Sequence, residues 1–151
     1  MGQYFKAVNL DKKEVVCPWC LGGGAKLWEW AANPQGAVLT LLLRKSSEGG
    51  GGDYNSPPPQ IVSIEDRAAD IAAVVAAGIT REGAPMVLPE DSVVGRWAGD
   101  RIVLIGDYDE SKLWEELPSY RNISNEVAEA WNDFIEIEDM KLATRHDCGC
   151  Q

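Results

Sequence analysis

Gly99-Asp100-Arg101-Ile102-Val103-Leu104-Ile105-Gly106-Asp107 is the stretch from which the fold is read. Four successive apolar residues stand between two Gly-Asp pairs. An unbroken branched run bounded by turn formers predicts a strand over Arg101–Ile105, and the lack of alternation predicts a central place in its sheet. Towards the N-terminus, Tyr4, Lys6 and Val8 alternate with their neighbours, and Val15-Val16 follows the polar Asp11-Lys12-Lys13. This predicts a β-hairpin. Ala25 to Ala32 then reads as a short helix stopped by Asn33-Pro34, while Ala37 to Leu43 fits a buried strand or a helix equally well. Towards the C-terminus, Glu110 to Leu117 reads as a helix ended by Pro118. A longer helix follows, capped by Ser124 and reaching about Ile137, with Val127, Ala130, Trp131 and Phe134 as its apolar stripe.

Between these parts lies a Gly/Pro-rich loop at about 46–60, then a helix expected over Ile64–Ala77 with Gly78 after its end. Neither flank of the loop is large enough to fold alone, so it reads as an insertion. The expectation is one α+β domain over residues 1–151, with a small antiparallel or mixed sheet and three to four helices.

Composition narrows the function. The net charge of −10 is uneven: the stretch from Asp100 to Asp139 holds 12 of the 24 acids but 3 of the 14 Lys and Arg residues. Phosphate backbones and anionic membranes require clustered cations, so direct nucleic-acid or membrane binding is not expected, and a basic partner surface is. The longest strongly apolar run, Ala37 to Leu43, is far shorter than the ~20 residues of a spanning helix. The opening Met1-Gly2-Gln3-Tyr4-Phe5-Lys6 has no apolar signal segment and lacks the Ser or Thr of a myristoylation site, which makes a cytoplasmic location the expectation.

The opening from Met1 to Glu14, together with Trp97-Ala98-Gly99-Asp100-Arg101 and Gly106-Asp107-Tyr108, resembles an uncharacterised family of small bacterial and phage-associated proteins. The resemblance covers about a fifth of the chain. It implies a role in host–phage conflict or on a mobile element, and no activity or catalytic residue.

The four cysteines form two close pairs, Cys17/Cys20 and Cys148/Cys150. A C-x-x-C turn and a C-x-C turn can present four thiolates to one structural zinc ion in tetrahedral geometry. Inert thiols and redox chemistry are the other readings. Gly22 to Gly24 argue against a thioredoxin-like motif, which should open a helix at once. His146 stands near the second pair as a further ligand candidate.

Catalytic patterns are sparse. Gly22 to Gly24 and Gly49 to Gly52 lack the Gly-Lys-Ser/Thr of a phosphate loop, and the chain has a single histidine and no nucleophile elbow. Asp107 to Ser111 fails the EF-hand pattern at Lys112 and Pro118, leaving Asp109 as a helix N-cap. Trp28 and Trp30 point to different sides of their helix, so at most one is buried.

Three readings of function remain. The first is a non-enzymatic acidic binding or inhibitor protein. Glu126, Glu129, Asp133 and Glu136 fall on one helical stripe opposite the apolar one, with no Lys or Arg between Ser124 and Asp139 to offset them. The second is a small-ligand, nucleotide-type binder using Trp and the glycine loops. The third is a carboxylate-based hydrolase.

Overall fold

The computed structural model describes residues 2–46 and 92–144. Apart from Lys45 and Ser46, these belong to one compact unit formed by Met1–Arg44 and Asp91–Gln151. The Gly/Pro-rich segment beyond Ser46 and the helix expected over 64–77 lie outside the described residues, as do Cys148, Cys150 and His146.

The architecture is α+β. Strands β1 (Phe5–Asn9) and β2 (Glu14–Val16) form the expected antiparallel hairpin, with Ala7 opposite Val16 and Asn9 opposite Glu14. β3 (Ile102–Gly106) lies antiparallel to β1, and β4 (Arg121–Asn122) lies parallel to β2. The order β3-β1-β2-β4 makes the sheet mixed. β3 is therefore an edge strand and not the central one predicted. Its apolar run did not mean burial on both faces: Ile105 is buried, but Ile102 and Val103 are half-buried and Leu104 is exposed.

Alternation on the strands separates two layers. Val8, Val15 and Ile105 point to one side, where Leu117 completes a buried cluster flanked by Leu10, Val103, Leu113, Trp114 and Tyr120. The helical side chains come from α4 (Leu113–Glu116) and the 3-10 turn Leu117–Ser119. Helices α1 (Leu27–Ala32), α2 (Pro34–Ala37) and α3 (Leu39–Leu42) form a nearly continuous run. Asn33-Pro34 stops α1 as expected, with Asn33 extended at its C-cap, and Pro34 then opens α2, since a proline at the first helical position gives up an amide that would have no partner there. Ala37 to Leu43, ambiguous by pattern, is helical over most of its length. The helix expected over Glu110–Leu117 starts later, at Leu113, and ends at Glu116 before Pro118, which sits inside the following 3-10 turn. Trp30 is buried and its Nε1–H donates to the Phe5 carbonyl at 3.1 Å, whereas Trp28 is exposed.

The hairpin is locked to the segment before β3 by charged and polar groups. Glu14 is 2% exposed. Its Oε1 and Oε2 each accept from Arg96 Nε at 3.0 Å, and Oε1 also accepts from the indole Nε1–H of the fully buried Trp97 at 3.1 Å. Arg96 and Trp97 are positioned by α3: Gly95 N–H donates to Leu41 O at 2.7 Å and Trp97 N–H to Leu42 O at 2.9 Å. Gly95 has φ +75, and a Cβ there would lie 2.8 Å from the Arg44 carbonyl oxygen, so a side chain is excluded.

At the hairpin turn, the buried Asn9 accepts from the amides of Asp11 and Lys12 at 2.9 and 2.8 Å and donates through Nδ2 to Asp100 at 2.8 Å. Lys12 pairs with Asp100, and Asp11 accepts from the backbone N–H and Nε of Arg101, both at 2.8 Å. At the other end of β1, Asp107 accepts from Tyr4 N–H at 3.0 Å and returns its own N–H to Tyr4 O. The N-terminal hairpin and the segment from Trp97 to Asp107 are thus joined at both ends of β1.

Glu14→Gln keeps the shape but leaves the Arg96 guanidinium facing an amide, and we expect a loss of about 3 kcal/mol in urea unfolding; a loss below about 1 kcal/mol would remove the anchor role. Asp11 is held below the usual carboxylate range chiefly by the Arg101 backbone amide and then its guanidinium, and Asp100 by Lys12 and then Asn9. Carboxylates depressed in the folded state stabilise it above their unfolded pKa, about 3.9, and lose that contribution as pH falls below it. Asp11→Asn combined with Asp100→Asn should lower Tm at neutral pH and flatten the decline in Tm below about pH 4. Parallel Tm–pH curves for variant and wild type would contradict this.

Candidate functional site

Three groups of side chains stand out. The first is the turn after β2. Leu21 N–H and Gly23 N–H both donate to Pro18 O, at 3.1 and 2.9 Å, and Gly22 N–H donates to Trp19 O. The chain therefore curls tightly at Cys17-Pro18-Trp19-Cys20 without opening a helix. Cys17 and Cys20 are both buried. Cys17 N–H donates to Ser124 Oγ at 2.7 Å, and Asn122 Nδ2 donates to Cys20 Sγ at 3.4 Å. The turn is thus built onto the start of helix α5 (Ser124–Phe134). The other two residues of the proposed zinc set, Cys148 and Cys150, lie outside the described residues.

The glycines beside this turn serve packing. Gly22 has φ +78, and a Cβ there would stand 2.9 Å from the Ala143 side chain; Gln35 Nε2 donates to Gly24 O at 2.9 Å.

The second group is aromatic. The Tyr4 and Trp19 rings lie 5.8 Å apart, and Lys6 Nζ sits 5.5 Å from the Trp19 ring centroid and 4.9 Å from that of Trp114. An ammonium between two indole faces is held by their quadrupoles. The sequence offered one sign of this arrangement: Tyr4 and Lys6 alternate with the buried Val8 on one strand face. The partner indoles come from positions distant in sequence.

The third group is α5 and the segment after it. The buried face of α5 consists of Ser124, Val127, Ala128 and Trp131. Val127 and Trp131 agree with the predicted stripe, while Ala128 replaces Ala130 as its small buried member. Ser124 does not cap the helix. Its hydroxyl donates to Asn122 Oδ1 and accepts from Cys17, and Asn122 Oδ1 also takes the first helical amide, that of Ser124, at 3.0 Å.

Of the acidic residues, Glu129 and Asp133 lie on α5, exposed and one turn apart, with no ion-pair partner among the described residues. Glu126 is paired with Arg121 Nη2 at 2.6 Å, so a cation from β4 offsets it. Glu136 is exposed but off the helix, which ends at Phe134 because Ile135 turns to extended backbone. The predicted four-residue stripe is thus two helical acids, one neutralised neighbour and one acid on the return segment.

That return segment is fixed to the helix. Trp131 Nε1–H donates to Met140 O at 2.8 Å, and the Asn132 amide both donates to Leu142 O and accepts from Leu142 N–H, each at 2.8 Å. Glu138 and Asp139 are exposed on it, with Lys141 3.6 Å from Glu138. Asp109 is not the N-cap expected: its Oδ1 accepts from Ser111 N–H at 2.8 Å and from the Ser111 hydroxyl, closing a turn before α4, which follows Lys112 in the left-handed region (φ 66). Ser111 accordingly holds the Asp109 carboxyl below the ordinary range.

No protein-family model, curated protein or solved structure matches this chain.

Asn132→Ala removes both bonds to Leu142. Unfolding free energy should fall by about 1–2 kcal/mol, and the Leu142 amide should lose its protection from hydrogen exchange. Retained protection in the variant would show that the return segment is held by something else.

Proposed function

We propose that this protein is a non-enzymatic binding or inhibitor protein whose acidic face, centred on α5, docks on a basic surface of a partner. The observation that carries the reading is the pair Glu129 and Asp133: both are exposed on a helix anchored through Trp131, and neither is offset by a cation among the described residues. Glu136, Glu138 and Asp139 extend the exposed acidic surface along the pinned return segment. Like charges one helical turn apart disfavour the helix by about 0.2–0.5 kcal/mol per pair, an opposing term that a cationic partner would remove. The hydrolase reading is less well supported, since the buried carboxylate among the described residues, that of Glu14, is engaged by Arg96 and Trp97. The host–phage setting implied by the sequence resemblance suits an inhibitor of this kind, including one occupying a surface that otherwise holds nucleic acid.

A small-ligand reading is favoured by one arrangement, the Tyr4–Trp19 ring pair with Lys6 between Trp19 and Trp114. Stacking on such rings would take a flat, anionic ligand of nucleotide type. One structural zinc held by Cys17, Cys20, Cys148 and Cys150 is compatible with either reading for the fully reduced chain.

The test is Glu129→Lys combined with Asp133→Lys, measured against a basic partner recovered with the wild-type protein. Steering and docking by charge predict an affinity loss of tenfold or more and a steep salt dependence of the wild-type association rate. Unchanged affinity, or wild-type binding equally fast at low and high salt, would overturn the acidic-face reading in favour of the aromatic one.

A further inference from the structure

We propose that the outer edge of β3 is a self-association surface, on which β3 of a second copy of this chain adds antiparallel and extends the sheet. The backbone shows which groups face outwards. Asp107 N–H donates to Tyr4 O at 3.0 Å and Leu10 N–H to Arg101 O at 2.9 Å, continuing the β1–β3 register at both ends. Bonded and non-bonded pairs alternate in an antiparallel ladder. Val103 and Ile105 therefore turn their N–H and C=O groups to β1, and those of Ile102, Leu104 and Gly106 point away from it. Among the described residues, one of these outward groups is bonded: the Gly106 carbonyl accepts from Asp109 N–H at 3.1 Å.

Sheets normally guard their edges with short strands, bulges, proline or charged side chains. The opposite edge follows that rule, since β4 has two residues. β3 has five, Ile102-Val103-Leu104-Ile105-Gly106, with continuous pairing to β1, no proline and no charge. Leu104, at its centre, is 37% exposed. An apolar strand with outward amides unpaired is a template for another strand.

The charges at its ends select the occupant. Arg101, with a side chain 74% exposed, precedes β3, and Asp107 follows it. A parallel second copy would set like charges together. A two-fold antiparallel arrangement centred on Leu104 instead sets Arg101 opposite the partner's Asp107 at both ends, a favourable cross-strand pair. The same register places Leu104 against the partner's Leu104, Val103 against the partner's Ile105, and Ile102 against the partner's Gly106. Every outward amide and carbonyl then meets its complement in about six hydrogen bonds, the Gly106 carbonyl using its second lone pair. The exposed Leu104 side chain is covered at the same time. No residue of α5 takes part, so this surface and the acidic face stand or fall separately.

The full chain, kept reduced so that no intermolecular disulfide contributes, is sedimented at about 5 to 500 µM, a range suited to a small strand-to-strand contact. A monomer–dimer equilibrium is expected. Amide exchange at Ile102, Leu104 and Gly106 should slow severalfold with rising concentration, while Val103 and Ile105, already bonded to β1, should not respond. Leu104→Lys puts a charge at an exposed edge position and touches no ion pair. It should leave Tm within about 2 °C of wild type and raise the dimer Kd at least tenfold. Arg101→Glu faces acid with acid at both ends and should raise Kd severalfold. A monomer at every concentration, a dimer indifferent to Leu104→Lys, or slowing confined to other segments would each overturn the proposal. So would Ile102 and Leu104 amides already protected in the dilute monomer, which would show the edge covered from within the chain.

Discussion

Glu14 carries a carboxylate into the interior of this protein, and much of the described structure is arranged around meeting that demand. An ionised carboxylate cannot be buried alone without a penalty of several kcal/mol, so β2 can pack only when its oxygens find donors. Arg96 and the Trp97 indole supply them from more than eighty residues away. Those two residues are themselves set by amides bonded to the carbonyls of α3. One charged group therefore couples the hairpin, the α1–α3 run and the approach to β3. The hairpin turn repeats the device in a more exposed form, with Asn9, Asp11 and Lys12 gripping Asp100 and Arg101.

The same constraint reaches the acidic helix. Arg121 stands 4.0 Å from Glu14 and also pairs with Glu126, so the cation beside the buried carboxylate neutralises the first acid of α5. Beyond that point nothing among the described residues offsets Glu129 and Asp133. Trp131 then does two things at once: its ring buries the helix, and its N–H holds the return segment at Met140. The surface proposed for binding and the course of the return segment to Ala143 both follow from one helix being docked on one face.

The places where the fold departs from the local pattern share a cause. A run of four apolar residues predicts a central strand, yet β3 lies at the edge and Leu104 is exposed. Local pattern reports how apolar a strand is but not how many neighbours cover it. Ser124 and Asp109 are residue types that favour helix caps, but both spend their oxygens on other turns. The spacing of the acids runs on through Glu136, and nothing in it marks the helix end at Phe134. No local signal marks Glu14 and Asn9 as structural centres, since a polar residue on a short strand is ordinarily solvated, and their partners are distant in sequence.

By itself the sequence determined the α+β class, the N-terminal hairpin, the helix carrying Trp131, the contrast between Trp28 and Trp30, and the acidity of the C-terminal half. These depend on periodicity, turn chemistry and composition, which act over a few residues. Tertiary structure alone decided the strand order, the burial of Glu14 against Arg96 and Trp97, the neutralisation of Glu126 by Arg121, and the placing of Lys6 between two indoles. Each of these is a contact between residues that are remote along the chain. Their energies come from removing charge and aromatic surface from water together, and no local pattern records which partners will share that burial.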